Sequence, residues 1–315
     1  MLYLLYIAGE FLVLTLPLKA SYWLADTLGS LYYFLAKKDK KILANNLRVV
    51  LNRTDKTPPY KGIGGSIPVD KTPPYKGIGG SIPVDSSAKI PHISRMVFVN
   101  FARYLVEFFR SPKIDLKYIE ENIEIQGREN LEKALSSGKG ALLLSAHLGN
   151  WELGAVVLAI LGYKINIVAW THKNKMVNDF FLRQRRSKGV KVIPLGAGIR
   201  RTFSALRKNE LIGLLGDIDY NNPEMGITVE LFGRDTVMPK GPAALSLKTA
   251  CPIIPTFMLR EGEGRFKFIL EKPIIYNSSQ NQRYALAELT QRLAKTLESY
   301  IALYPEQWFM LTPRW

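Results

Sequence analysis

The chain has 315 residues, of which 47% are hydrophobic and 22% are charged. This balance excludes an intrinsically disordered protein and allows a sizeable core. Lys and Arg number 43 against 27 Asp and Glu, so we expect an anionic partner, either a nucleic acid or a membrane surface. The basic residues accompany no recognised nucleic-acid-binding motif, which makes nucleic acid the weaker alternative.

The first 18 residues, MLYLLYIAGEFLVLTLPL, are nearly all apolar. They lack the basic start and small-residue cleavage site of a signal peptide. We therefore expect residues 1–20 to form an uncleaved membrane anchor, which either spans the bilayer or lies in its interface, since Glu10 and Pro17 interrupt the run. A second apolar helix is predicted over 22–35. The basic cluster KKDKK at 37–41 favours the cytoplasmic side of the membrane, the alternative being a solvated helix end.

Residues 56–70, KTPPYKGIGGSIPVD, recur identically as residues 71–85. Pro-Pro and Gly-Gly pairs disfavour a helix, and the repeat has too few large apolar residues to build a core. We predict a flexible tandem-repeat insertion that separates residues 21–55 from residues 86–315 of one folded domain.

Beyond the insertion, short apolar runs alternate with helical patterns. Helices are predicted over 91–110, 129–136, 151–161, 177–186, 199–208, 243–249 and 280–304, and strands over 123–126, 142–145, 165–170, 190–194, 212–215, 253–259 and 266–271. This alternation indicates an α/β fold with a mixed sheet flanked by helices.

The strongest candidates for catalytic residues lie in the stretch ALLLSAHLGNWELGAVVLAILG at 141–162. On one continuous helix His147 and Glu152 would point roughly 140° apart, because each residue advances about 100°. A strand, a turn at Gly149 and Asn150, and a new helix would bring the carboxylate back to the imidazole. A histidine held by a carboxylate can take a proton from a hydroxyl. The alternative is a loop histidine that is merely satisfied by a nearby glutamate.

HLGNWE resembles the H-x4-D/E signature of glycerolipid-type acyltransferases, and GKGALLLSAHLGNWELGA is similar to the form found in the lipid A biosynthesis acyltransferases, the late lauroyl and myristoyl transferases. Three further stretches resemble that family in the same order: GDIDY at 216–220, ELFGRDTVMPKGPAALSLKTACPIIP at 230–255 and YPEQWFMLTPRW at 304–315. The resemblance covers residues 1–50 and 88–315. It implies a glycerolipid acyltransferase-like fold and acyl transfer from acyl carrier protein or coenzyme A to a hydroxyl of a lipid A precursor. His147 would be the general base and Glu152 would orient it.

The apolar N-terminus and KKDKK predict that the chain stays at the inner membrane with its catalytic domain on the cytoplasmic side, and we expect no cofactor beyond the acyl thioester. Nine basic residues between 183 and 208, including Arg185 and Arg186, are candidates for binding phosphate on the acceptor or on the carrier. We further expect Asn150, Asp217 and Asp219 to contribute to substrate binding. Asp217 would be a polar determinant of the acceptor or the partner of an arginine. Paired carboxylates can hold Mg²⁺, but nothing else in the sequence resembles a metal site.

Two other functional hypotheses remain open. The chain could acylate a different membrane lipid, a lysophospholipid or a phosphatidylinositol mannoside. It could also be a non-catalytic protein that binds membrane surfaces, which would keep the anchor and the basic residues without needing His147.

Overall fold

The computed structural model describes residues 2–54, 86–196, 198–218, 225–276 and 282–315. The tandem repeat at 56–85 and the predicted substrate residue Asp219 lie outside these residues, so both expectations remain predictions. The helices of the described residues are α1 (Leu2–Thr15), α2 (Leu18–Leu35), α3 (Lys37–Thr54), α4 (Ile90–Phe109), α5 (Leu116–Asn122), α6 (Arg128–Leu135), α7 (Trp151–Ile160), α8 (Lys175–Arg186), α9 (Ile199–Arg207), α10 (Gly241–Thr249) and α11 (Gln282–Leu303).

The strands are β1 (Ile123–Gln126), β2 (Ala141–Ser145), β3 (Ile165–Ala169), β4 (Lys191–Pro194), β5 (Leu211–Leu215), β6 (Gly226–Leu231), β7 (Arg234–Pro239), β8 (Ile253–Gly262) and β9 (Arg265–Leu270). A seven-stranded sheet has the order β1-β9-β8-β2-β5-β3-β4. Its neighbouring strands are parallel except for the antiparallel pair β8 and β9. The predicted α/β fold with a mixed sheet is therefore confirmed.

A separate two-stranded hairpin, β6 and β7, was not predicted from the sequence. Its two turn residues, Phe232 and Gly233, both have positive φ, at 52° and 72°. Two-residue hairpin turns favour this backbone conformation, but a phenylalanine is an unusual residue for it. Asn-Gly or Asp-Gly would have been the recognisable signal.

The central strand β2 is buried along its whole length, which explains its continuous apolar run. Because side chains alternate across a strand, Leu142 and Leu144 enter the core on the α11 side of the sheet, whereas Leu143 enters the core on the α7 side. β2 pairs in parallel with β5, and Ser145 lies opposite Leu215 at the ends of the two strands. The segments that follow these strands therefore leave the sheet at the same edge.

The N-terminal anchor helix is not confirmed as predicted. The apolar stretch is divided between α1 and α2, with Pro17 at the junction. Within the described residues, no helix combines the length and the apolarity that crossing a membrane requires.

One side of α2 packs closely against α4. The buried residues Tyr22, Ala25, Gly29 and Tyr33 recur at helical spacing. At Gly29 a β-carbon would lie 2.9 Å from the carbonyl oxygen of Phe98, so only glycine allows this approach. The N-terminal helices are thereby joined to the body of the protein.

Candidate active site

His147 follows β2 by two residues, and Asp217 follows β5 by two residues, so the parallel register brings them together. Nδ1 of His147 lies 2.8 Å from Oδ1 of Asp217, and the backbone N–H of His147 donates to Oδ2 at 2.9 Å. The imidazole side chain is 21% exposed, whereas the carboxylate is only 1% exposed. A shielded carboxylate thus holds an accessible imidazole.

The protonation state of this pair follows from its surroundings. Burial alone raises the pKa of Asp217, but the charge of His147, the hydrogen bonds from its ring and backbone, and the indole of Trp308 outweigh burial and lower the pKa below its usual value. An ionised carboxylate only accepts hydrogen bonds, so Nδ1 of His147 carries the proton. In the neutral imidazole Nε2 is then the basic nitrogen, as a general base requires.

Trp308, from the C-terminal segment, is the second residue that binds Asp217 and supplies its third hydrogen bond. Its buried indole N–H donates to Oδ2 of Asp217 at 3.0 Å. The same segment also holds the backbone around the histidine. The N–H of Phe309 donates to the carbonyl of His147 at 2.8 Å, and the N–H of Gly149 donates to the carbonyl of Gln307 at 3.0 Å. The motif YPEQWF is recognisable in the sequence, but its residues alone do not indicate contact with a residue 91 positions away.

The structure corrects the expectation that Glu152 holds His147. Both carboxylate oxygens of Glu152 accept hydrogen bonds from Arg185, at 2.6 Å from Nη2 and 3.1 Å from Nε. Glu152 lies in the first turn of α7 and Arg185 in the last turn of α8. This bidentate ion pair is almost fully buried, with side-chain exposures of 5% and 11%. The guanidinium of Arg185 is therefore engaged with a protein carboxylate rather than presented for phosphate.

Asn150 and Asp217 also differ from their expected roles. Asn150 begins α7, because its Oδ1 accepts from the N–H of Leu153 and its Nδ2 donates to Glu107. Glu107 in turn is bound by Tyr22 and by the buried guanidinium of Arg260. Asn150 is 1% exposed, so these contacts assign it to positioning α7 and not to binding substrate. Asp217 contacts His147 and Trp308, and not the arginine that was one of its two expected partners.

A cavity of about 310 Å³ opens beside His147, between α7 and the sheet. Its wall includes the polar side chains of Ser145, Glu152, His172 and Arg185, and its apolar lining includes Leu143, Trp151, Leu158, Ile165, Ile167, Gly213 and Met258. A side chain at the strand position of Gly213 would occupy part of this space. The cavity thus combines a few polar groups with an apolar lining that suits a hydrocarbon chain.

His172 is a second imidazole on the cavity wall, and its pKa is lowered by burial and by the nearby charge of Arg185. Arg186 is exposed on α8, so its predicted contact with phosphate stays a prediction. Two others of the nine basic residues between 183 and 208 form ion pairs with protein carboxylates: Arg183 pairs with Glu10 and Lys191 pairs with Glu210.

The sequence of this chain is similar to those of known acyltransferases. A family model described as bacterial lipid A biosynthesis acyltransferase matches residues 80–315. The phosphatidylinositol mannoside acyltransferase of Mycobacterium tuberculosis (strain ATCC 25618 / H37Rv) is 32% identical over 222 residues, which are 69% of this chain and 68% of that protein. The protein of the same name from Mycolicibacterium smegmatis is 32% identical over 225 residues, 70% of this chain and 71% of that protein.

The lipid A biosynthesis acyltransferase of Haemophilus influenzae is 24% identical over 193 residues, 61% of this chain and 58% of that protein. The region matched by the family model contains His147, Asp217 and Trp308.

Proposed function

Because this chain belongs to the bacterial lipid A biosynthesis acyltransferase family, we propose that it transfers a fatty acyl chain from a thioester to a hydroxyl of a membrane glycolipid. The family match confirms the resemblance drawn from the four sequence motifs. The observation that carries the proposal is the imidazole of His147, held by Asp217 and standing beside an apolar cavity. A basic nitrogen next to a hydrocarbon-binding space is what acyl transfer to a hydroxyl requires.

In the proposed reaction the acceptor hydroxyl gives its proton to Nε2 of His147 while its oxygen attacks the carbonyl carbon of the thioester. The tetrahedral intermediate then collapses, the carbon–sulfur bond breaks, and the departing thiolate takes the proton from the imidazolium. Asp217 stabilises the imidazolium and keeps the ring in the tautomer that presents Nε2. No covalent acyl-enzyme is needed, and acyl carrier protein and coenzyme A are both suitable donors.

Two acceptors follow from the relatives' names. The greater identity to the phosphatidylinositol mannoside acyltransferases, 32% against 24%, supports a mannosylated phosphoinositide. The family description and the late-acyltransferase motifs support a lipid A precursor. Both are anionic glycolipids, so the exposed side chains of Arg186 on α8 and of Arg200 and Arg201 on α9 suit the phosphate of either acceptor.

The test is to incubate the purified full chain with each acceptor in turn, using acyl carrier protein and coenzyme A thioesters, and to analyse the lipids by mass spectrometry. We expect one acceptor to gain the mass of one acyl chain. The His147→Asn variant is the control for transfer by contaminants. If the folded wild-type chain acylated neither acceptor with either donor, the proposal would be wrong, and a lysophospholipid acceptor and a non-catalytic membrane-binding protein would be the alternatives left.

We also propose that the enzyme works at the cytoplasmic face of the inner membrane and that α1 and α2 lie in the membrane interface. Large apolar side chains on these helices face solvent; they are Leu4, Leu5, Phe11, Leu12, Trp23, Leu28, Leu31, Tyr32, Phe34 and Leu35. The exposed lysines Lys37, Lys38 and Lys41 follow directly in α3. Apolar side chains that enter the headgroup region beside lysines that meet anionic lipid are typical of interfacial helices.

This placement predicts that Trp23→Ser combined with Phe34→Ser weakens binding to anionic phospholipid vesicles by at least about 10-fold, because each aromatic side chain contributes on the order of 1.5–3 kcal/mol when buried. Vesicle sedimentation measures the effect. Tyr284→Ser on α11 is the matched control, since that aromatic side chain is also exposed, at 58%, and should not affect binding. Equal sedimentation of the double variant and the wild type would contradict the placement.

A further inference from the structure

Ser145 is the last residue of β2 and has an unsatisfied hydroxyl. Its Oγ is buried and has no hydrogen-bond partner among the described residues. The backbone carbonyl of Ser145, by contrast, accepts from the N–H of Gly216 at 2.9 Å. A buried polar group without a partner costs free energy, and in a native protein it therefore calls for an explanation.

The position of Ser145 in the strand shows where this hydroxyl lies. Ser145 is two residues beyond Leu143 and therefore faces the same side of the sheet, toward α7. Both residues line the cavity beside His147. The other side chains of β2 are apolar and buried, so an apolar residue would be expected at position 145 as well. The sequence has a serine there instead, two residues before His147 and in the wall of the cavity.

We propose that the Ser145 hydroxyl donates a hydrogen bond to the carbonyl oxygen of the acyl thioester, an inference that rests on the proposed function. The hydrocarbon chain of a bound donor has no atom that could accept this hydrogen bond. The thioester carbonyl can accept it, and this carbonyl must lie close to His147, because the hydroxyl that His147 deprotonates attacks its carbon. The bond strengthens as negative charge develops on that oxygen during attack. Ser145 is then a catalytic residue that touches the reacting group, and its missing partner is the substrate.

Replacing Ser145 with alanine should affect activity and stability differently. Ser145→Ala is expected to lower kcat by about 10²- to 10³-fold, the effect usual for removing one donor to a developing oxyanion. The melting temperature should stay level or rise, because the variant buries no unsatisfied hydroxyl. Ser145→Thr restores a hydroxyl and should recover part of the activity. Full activity in a folded Ser145→Ala protein would overturn the proposal.

Two serines elsewhere serve as matched controls. Ser94 on α4 also has a buried Oγ, for which the described part of the chain offers no partner, but it does not line the cavity, so Ser94→Ala should leave kcat unchanged. Ser246 is buried and donates to the carbonyl of Cys251 at 2.7 Å. Ser246→Ala should therefore lower the melting temperature and preserve activity per folded molecule. Loss of turnover in either control comparable to that of Ser145→Ala would show that a general packing defect explains the effect.

Donor binding separates this inference from the proposed function. The affinity of the wild type and of Ser145→Ala is measured for an acyl thioester of coenzyme A and for its thioether analogue, which lacks the carbonyl oxygen. We expect the substitution to weaken thioester binding by about 2- to 10-fold, the value of one neutral hydrogen bond, and to leave thioether binding unchanged. If thioester binding alone were weakened but no acceptor were acylated, the transferase function would be rejected, whereas the hydrogen bond between Ser145 and the thioester carbonyl would still be supported. An equal effect on both ligands would reject the contact alone.

Discussion

Replacing His147 with asparagine is expected to lower turnover by roughly 10²- to 10⁴-fold, the range usual for loss of general-base catalysis. Asparagine cannot accept the hydroxyl proton, but its side-chain N–H₂ can still donate to Oδ1 of Asp217 in place of Nδ1. The buried carboxylate thus keeps a partner, and the melting temperature should stay close to that of the wild type. Steady-state kinetics and thermal unfolding on the same preparation measure both quantities.

His147→Ala is the informative comparison, because it removes the base and also leaves Asp217 with only the backbone and indole donors. A buried acceptor that loses a partner costs about 1–3 kcal/mol, so this variant should be less stable than His147→Asn and equally inactive. If His147→Asn kept full specific activity while folded, His147 would not be the base. The non-catalytic alternative would then be the better interpretation.

The second large effect is expected at Asp217, and it distinguishes Asp217 from the other acidic residue of the site. Asp217→Asn should lower turnover by on the order of 10²- to 10⁴-fold, because an amide stabilises neither the imidazolium nor the tautomer that presents Nε2. Combining it with His147→Asn should add little further loss, since two residues that act as one unit are not additive.

Glu152→Gln should behave differently, because Glu152 binds Arg185 and not the imidazole. Removing one partner of a buried ion pair costs about 3–5 kcal/mol, so the main effect should be a lower melting temperature. Activity per folded molecule should fall much less than in Asp217→Asn. The reverse result, with Glu152→Gln inactive and stable and Asp217→Asn active, would restore Glu152 as the residue that orients His147.

The local structure of the site could be predicted from the sequence. The apolar run at 142–145 forms β2, and the pattern at 151–161 forms α7. The turn between them needs Gly149, whose φ is +65°, and the N–H of the next residue, Asn150, reaches the carbonyl of Met258 at 2.8 Å. Apolar periodicity, a glycine at positive φ and a capping asparagine act over a few residues, so their pattern is visible along the chain.

The partner of His147 was decided only by the tertiary structure. Five positions separate the histidine from Glu152, whereas 70 separate it from Asp217, and the nearer carboxylate was the natural expectation. The structure shows the more distant carboxylate to be the partner, because β2 and β5 are parallel neighbours whose last residues lie opposite each other. His147 and Asp217 each follow the end of their strand by two residues and therefore lie side by side. Glu152, the nearer carboxylate, forms an ion pair with Arg185 instead. Which strands become neighbours depends on how distant apolar faces pack into one core, and no spacing along the chain records that arrangement.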